Sequence, residues 1–487
     1  MLKARRSSGD NEKRKEVLQQ LFPEAFDNEG FDLGIFERIL NELDFVRREE
    51  YNFSWAGKQE AIRESFKPAV GVLKPVHKES IDFSSTRNVF VEGDNLEVLR
   101  VLSNTMENSV KMIYIDPPYN TNSGQNFYED DFTIRKREYK SEGHSTNHSI
   151  SYKSGLSSYG RFHSRWLSMM YPRMQIARRL LSEDGVLFVS LDDVEVLNLA
   201  LIMKEIFGEK NVETMIWKKV DSNEGKLKLI KRFRVEHEYI LVGYKNKDDT
   251  QFKKVRELPD FRNEVENVDQ DPRGEWVSGN MSSTEEISVE GGKNFYEVVS
   301  PGGRKFRRQW KFPRAEFDRL NEEHRIYWGK NGNNVPRLKV FANEPRLVYV
   351  SSIVERKGTA KKASSDIREL VGTDCFPNPK PVELIRYLID AAQTQNGIIM
   401  DFFAGSGTTA QAVLEQNAID GGNRSFFLVE LPKPLAEHET DISKMKFQTS
   451  ADVTKFRIKA AIKKFKNEEK TVNNIDLGMK VFALSRD

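Results

Sequence analysis

Two stretches of the chain bring together residue types that could handle a small organic group. The first, Asp116-Pro117-Pro118-Tyr119, directly follows the apolar run KMIYI. Two consecutive prolines cannot continue a sheet ladder or sit inside a helix, so they fix a rigid, extended turn. Their carbonyls accept hydrogen bonds with no N–H beside them to satisfy. Asp116 adds a carboxylate acceptor and Tyr119 a flat aromatic face. The combination suits a planar ring with an exocyclic amino group. Asp116 and the Pro117 carbonyl would each accept one N–H of the amine, while Tyr119 stacks on the ring.

The second stretch is Asp401-Phe402-Phe403-Ala404-Gly405-Ser406-Gly407-Thr408-Thr409, between the apolar run GIIM and the helical pattern TTAQAVLEQN. Glycines at a strand–helix junction allow a tight turn and close approach of a ligand to the backbone, and the helix N-terminus favours an anionic group. Glu430, 29 residues after Asp401, ends the next apolar run, where an acid can accept from ribose hydroxyls. A dinucleotide fingerprint would require a third glycine, which is missing. An adenosine ligand carrying a carboxylate, S-adenosylmethionine, fits this pattern instead.

Such residues need a frame that brings them together. From residue 88, short apolar runs that each end in an acid alternate with helical stretches. The acids are Asp94, Asp116, Asp192, Asp401 and Glu430. Strand–helix alternation at this spacing predicts an α/β fold, a doubly wound, Rossmann-like parallel sheet covered by helices, with its ligands beyond the carboxyl ends of the strands. The spacing of Val17, Leu18, Leu21 and Phe22, and of Phe36, Ile39, Leu40 and Leu43, predicts a helical N-terminal segment over 1–85. The two core halves are then 86–245 and 376–487. Between them, 246–375 lacks the alternation and is expected to be an inserted domain.

The whole chain has 76 basic and 74 acidic residues, but the insert is uneven. Residues 259–298 carry 3 basic and 10 acidic side chains, and residues 301–362 carry 16 basic and 6 acidic. Arg304, Lys305, Arg307, Arg308, Lys311 and Arg314, interleaved with Trp310 and Phe312, are the candidates for phosphate and base contacts in DNA. Lys226 to Arg234 and the helix from Lys455 to Lys466 are candidates for further backbone contacts. The polar segment 120–160 is expected to be a long mobile loop of the functional kind. The single cysteine, Cys375, excludes an intrachain disulfide framework and a cysteine-based metal centre. The absence of a GxxxxGK[ST] loop argues against an NTP-driven motor of that kind. No apolar run reaches the ~20 residues of a membrane helix, and the basic N-terminus has no apolar stretch behind it, so a cytoplasmic location is expected.

DPPY together with DFFAGSGTT resembles the DNA amino-methyltransferases that act on adenine N6 or cytosine N4. The amine motif precedes the glycine loop, as in the circularly permuted beta class, which carries its DNA-recognition domain between the two halves. PNPKPVELIRYLI at 377–389 is similar to that family's cofactor-side helix, which implies cofactor contacts for Lys380 and Pro381 and for Phe376 just before it. GDNLEVL at 93–99 implies that Asp94 meets the cofactor adenine. The glycine loop implies further contacts through Asp401, Phe403, Ala404, Gly405, Ser406, Gly407 and Thr408. YNFSWAGKQEAIRESF, STRNVFVEGDNLEVL, DPRGEW, RIYWGKNG and DLGMKVFAL extend the resemblance to the modification (Mod) subunits of type III restriction–modification systems. That resemblance implies adenine N6 as target, duplex DNA as substrate, a separate helicase–nuclease restriction subunit as partner and a homodimeric assembly. The target base would have to leave the duplex, and the segment 120–160, beginning at Asn120, is expected to close over it. Cytosine N4 as target, a solitary methyltransferase, and a non-catalytic DNA-binding subunit are the alternatives.

Overall fold

The computed structural model describes residues 18–27, 30–32, 35–36, 39, 52–120, 153–220, 233–258, 267–283, 288–372, 376, 378–435, 447–467 and 475–485. Residues 121–152, Lys226 to Arg232, Cys375 and Pro377 lie outside them, and so does much of the acidic part of the insert. The chain divides into two units, residues 1–55 and 56–487. In the first, Phe26–Asp27 pairs antiparallel with Gly30–Phe31, and the rings of Phe22, Phe26, Phe31 and Phe36 cluster with centroids 4.9–5.3 Å apart.

The second unit is built on a ten-stranded sheet. Its strands, in chain order, are β1 (Val72–Pro75), β2 (Val89–Glu92), β3 (Val110–Ile115), β4 (Leu181–Leu191), β5 (Val212–Lys218), β6 (His237–Tyr244), β7 (Ile353–Val354), β8 (Asn396–Asp401), β9 (Asn423–Glu430) and β10 (Lys480–Ser485). Their order across the sheet is β7-β5-β6-β4-β3-β8-β9-β2-β10-β1. The six strands from β4 to β10 run parallel, whereas β6 is antiparallel to both β4 and β5. Near-continuous burial along β3 and β9 is the signature of parallel strands covered on both faces.

Nine helices among the described residues matter here: α1 (Lys58–Glu64), α2 (Asn95–Ser103), α3 (Lys153–Leu180), α4 (Val196–Phe207), α5 (Arg314–Glu322), α6 (Ala360–Val371), α7 (Val382–Ala391), α8 (Thr408–Asp420) and α9 (Ser450–Asn467). Helices α1 to α4 pack on one another, and so do α6 to α9. The crossover β3-α3-β4 steps away from β8, and β8-α8-β9 steps away from β3. Right-handed crossovers in opposite directions place their helices on opposite faces, so the sheet is doubly wound and its switch point lies between β3 and β8.

The N-terminal region is not helical throughout. Val72–Pro75 forms an edge strand antiparallel to β10. Pro75 is tolerated there because an edge residue needs no second ladder partner. The C-terminal end of the insert also differs from the expected boundary. Ile353–Val354 returns to the main sheet beside β5, and α6 packs on α9. A two-residue strand offers too little periodicity to be read from sequence.

Within the insert, Trp276–Asn280, Arg337–Phe341 and Ile326–Tyr327 make a three-stranded sheet, and Phe295–Val299 pairs with Lys305–Gln309. Met281, Val298, Phe306, Trp310, Phe317, Leu320, Ile326 and Trp328 form a core separate from that of the main sheet. Trp310 is 2% exposed and its indole N–H donates to the Tyr296 carbonyl at 2.9 Å. Truncation of a buried Trp typically costs about 3–5 kcal/mol. Trp310→Ala is therefore expected to abolish amide-exchange protection across 276–341 while leaving that of the ten-stranded sheet unchanged. Among the described residues no helix is long and apolar enough to cross a membrane.

Candidate active site

The parallel register brings the carboxyl ends of β2, β3, β4, β8 and β9 to one edge of the sheet. Asp116 lies just past β3, and Asp401 ends β8 beside it. The residues between β8 and α8 form the glycine loop. Gly405 and Gly407 have φ of 52° and 81°, the left-handed region open to glycine. A Cβ on Gly405 would lie 3.3 Å from the Phe376 ring, and one on Gly407 would lie 3.1 Å from Thr454. Phe376 thus packs against the loop at Gly405, and Thr454 packs against it at Gly407.

Two buried acids organise this loop. Asp401 accepts from the Phe403 N–H at 3.0 Å and the Thr409 hydroxyl at 2.6 Å. Glu430 accepts from the Gly405 N–H at 2.9 Å and the Ser450 hydroxyl at 3.0 Å. Burial pushes the carboxyl pKa of each up to about 7, against the pull of these donors. Asp94 caps α2 by accepting from the Glu97 N–H at 3.0 Å. Its neighbour Asn95 donates to the Phe402 carbonyl at 2.6 Å and so ties α2 to the glycine loop.

A further wall comes from α9. Ser450, Thr454 and Arg457 recur at i, i+4 and i+7 on one face of this helix. Ser450 holds Glu430, and Thr454 donates to the Gly405 carbonyl at 2.5 Å. Arg457, 1% exposed, donates to the Ser406 and Thr408 hydroxyls at 2.7 Å each. Lys455 meets Glu79, Glu92 and Asp452 at 2.6–3.2 Å. The start of this helix therefore supports the glycine loop rather than facing DNA. Its basic composition concealed that role, which the i, i+4, i+7 placement of Ser, Thr and Arg could have signalled.

Lys380 and Pro381 lie directly before α7. The Lys380 carbonyl accepts from the Thr408 hydroxyl at 3.2 Å, which fixes its backbone beside the glycine loop. Its side chain, however, reaches into the amine pocket. Lys380 Nζ donates to both Asp116 oxygens, at 2.8 and 2.9 Å, and to the Tyr119 hydroxyl at 2.5 Å. The Tyr119 hydroxyl also lies 2.8 Å from Asp116 and 3.0 Å from Glu238. Burial acts to lower the Lys380 pKa, but Asp116 and Glu238 more than offset it, so the ammonium is held above its ordinary range. Burial raises the Asp116 carboxyl pKa against the attraction of Lys380. The Tyr119 hydroxyl is pushed well up by burial and by the two carboxylates.

The two prolyl carbonyls are not equivalent. That of Pro118 accepts from the Trp166 indole at 2.6 Å. That of Pro117 has no donor among the described residues. Glu238 is the acid that strand-end counting missed. It begins a strand, but β6 is antiparallel and pairs Tyr239 with Leu191, so its start lies at the edge where the parallel strands finish.

Asn120 faces the protein and not a ligand. It is 3% exposed, has φ of 56°, and donates to Glu195 at 2.6 Å and to the Phe162 carbonyl at 3.4 Å. His163 Nδ1 lies 2.6 Å from the same Glu195 oxygen. In the insert, three cations of the basic run have carboxylate partners. Lys305 pairs with Glu297 at 3.1 Å, Arg307 with Glu290 at 2.9 Å and Arg314 with Asp318 at 2.9 Å. Arg304 and Arg308 lie over the Phe306 ring, 5.1 and 5.9 Å from its centroid. Arg304, Lys305, Arg307, Lys311 and Arg314 are exposed, while Trp310 is core rather than a stacking surface. Exposed ion pairs contribute only about 0–1 kcal/mol, so these cations can exchange their partners for phosphates at little cost.

Residues 110–421 match the family described as DNA methylase (N6_N4_Mtase). The Type III restriction-modification enzyme StyLTI Mod subunit of Salmonella typhimurium is 32% identical over 463 residues, which cover 94% of this chain and 70% of that protein. The Type III restriction-modification enzyme EcoP15I Mod subunit of Escherichia coli is 30% identical, covering 98% of this chain and 78% of that one. The Type II methyltransferase M.KpnI of Klebsiella pneumoniae is 28% identical, covering 77% and 87%. A glycine loop and an Asp-Pro-Pro-Tyr turn facing each other across the switch point, together with these matches, place the chain in the DNA methylase family, among the Mod subunits of type III restriction–modification enzymes.

Proposed function

We propose that the chain transfers a methyl group from S-adenosylmethionine to the N6 amine of adenine in duplex DNA, as a modification subunit that works with a separate restriction subunit. The observation that carries this reading is the position of Asp116 and the Pro117 carbonyl beside the glycine loop. The loop fits the cofactor: its glycines allow the tight strand–helix turn, and the start of α8 favours the carboxylate of the amino-acid portion. Asp94 and Glu430 would face the adenine and ribose. The cofactor supplies an electrophilic methyl group on a sulfonium.

The chain's own residues prepare the nucleophile. The lone pair of the adenine amine is delocalised into the ring. Accepting its two N–H groups at Asp116 and Pro117 favours a pyramidal nitrogen whose lone pair points at the methyl group. The rate then comes from positioning and electrostatics. The target base must leave the duplex to reach this pocket, and Tyr119 offers the face on which it stacks. The exposed cations of the insert would hold the phosphates. Asp before Pro-Pro-Tyr supports adenine over cytosine N4, for which Ser is usual. Incubation of DNA with labelled cofactor followed by nucleoside analysis tests the reading. N6-methyladenine is expected, and N4-methylcytosine or no label would overturn it. A solitary methyltransferase is the second reading, favoured by the likeness to the type II enzyme of K. pneumoniae.

The α9 contacts give a separate expectation. Hydrogen bonds to charged groups are worth about 1.5–3 kcal/mol, and each 1.4 kcal/mol is about tenfold in affinity. Arg457→Gln is expected to raise the KM for the cofactor about tenfold, with kcat at saturation and DNA affinity little changed. Arg457→Lys should recover part of that loss.

A further inference from the structure

The pocket around Asp116 holds a cation that methyl transfer to an amine does not obviously need. An ammonium has three N–H donors and a target amine has two. In this structure two of the Lys380 donor contacts fall on both oxygens of Asp116. Asp116 is the acceptor the amine needs, so Lys380 and the amine compete for the same group. A buried ammonium released without an acceptor costs several kcal/mol, so the exchange requires another carboxylate within reach.

Glu238 is that carboxylate. Its Oε2 lies 3.2 Å from Lys380 Nζ and its Oε1 accepts from Lys219 at 3.2 Å. Burial acts to raise its pKa, but Lys380 and Lys219 more than offset this, so it stands ionised. The antiparallel course of β6 carries it into the pocket from a strand that supplies neither the amine motif nor the glycine loop. A small movement of a flexible lysine stem moves the ammonium from Asp116 to Glu238 and leaves both acceptors satisfied.

We propose that Lys380 stands in for the target amine at Asp116 until DNA binds, and that Glu238 is the positioning residue that takes Lys380 over when the amine arrives. The inference rests on the amino-methyltransferase reading above and adds two residues to it. Glu238 touches neither reacting atom and acts through Lys380.

The test is single-turnover methyl transfer by the full chain on duplex DNA, with cofactor affinity measured alongside. Glu238→Gln leaves Lys380 on Asp116, and is expected to slow transfer and raise the half-saturating DNA concentration, each about tenfold, with cofactor affinity unchanged. Adding Lys380→Met in that background removes the competitor and should recover at least about threefold of the loss. A purely structural role for Glu238 would make the double variant no better than the single. Wild-type behaviour of Glu238→Gln, or a double variant as slow as it, overturns the proposal. Lys380→Met alone reads the competition from the other side. A lower half-saturating DNA concentration supports the proposal, and an unchanged or higher one opposes it. If the unmodified chain transfers no methyl group, or Asp116→Ala matches it, the reading of the pocket itself fails.

Discussion

Asp116→Ala is expected to lower the single-turnover rate of methyl transfer by about 10³-fold, the scale on which removing one preorganised group from a reacting centre is felt. The substitution removes the acceptor for one amine N–H and the partner that holds both Lys380 and Tyr119. Cofactor affinity should stay within a few fold, because the glycine loop is held from the other side by Asp401, Glu430 and α9. Phosphate contacts supply most of the DNA affinity, so the half-saturating DNA concentration should rise by no more than about tenfold. The loss would then lie mainly in the transfer step itself. Asp116→Asn, which keeps an acceptor oxygen but replaces the other with a donor, should fall between. A variant that retains the full rate would mean that nitrogen geometry is set elsewhere, for which the Pro117 carbonyl is the remaining acceptor.

Much of this pocket was legible because its residues are contiguous. DPPY and the glycine loop each carry their chemistry in a few positions, and strand–helix alternation says which end of the sheet they share. What was not legible depends on pairing between distant segments. Glu238 reads as an ordinary strand residue until β6 is known to run antiparallel to β4. Lys380 reads as a cofactor residue, and its backbone does lie beside the glycine loop, but the length of its side chain takes it to Asp116. The basic run of the insert suggested an open nucleic-acid surface. A count along the sequence cannot show that Glu297 is paired across a hairpin with Arg307 and lies beside Lys305. Asn120 misled for a related reason. It reads as the first residue of a loop over the target base, yet its amide is held by a carboxylate at the start of α4. One-dimensional patterns identify chemistry, whereas its counter-charges come from elsewhere in the fold.

The buried acids of the cofactor loop should make cofactor binding depend on pH near neutrality. Asp401 and Glu430 titrate at about 7 in the empty protein, above 3.8 and 4.5, because burial disfavours their charged forms. Between about pH 4 and 7 the folded chain therefore holds protons that the unfolded chain has released. Their contribution to stability is fully present below the unfolded values and is lost as pH rises through 7. Each pH unit between the folded and unfolded titration points is worth about 1.4 kcal/mol, so each group forfeits a few kcal/mol. The empty protein should then melt at lower temperature at pH 8 than at pH 6. Ligation works in the opposite sense. Ribose hydroxyls donate to a carboxylate better than to a carboxylic acid, so binding at Glu430 favours the ionised form and releases its proton. The cofactor dissociation constant should fall up to about tenfold per pH unit as pH rises toward 7 and level off above it. The cofactor-induced rise in melting temperature should grow over the same interval. Glu430→Gln removes the titrating group, and is expected to weaken binding at pH 8 and to flatten the profile. A profile already flat in the unmodified chain, or one that keeps its slope in Glu430→Gln, would assign the ribose contact to another group.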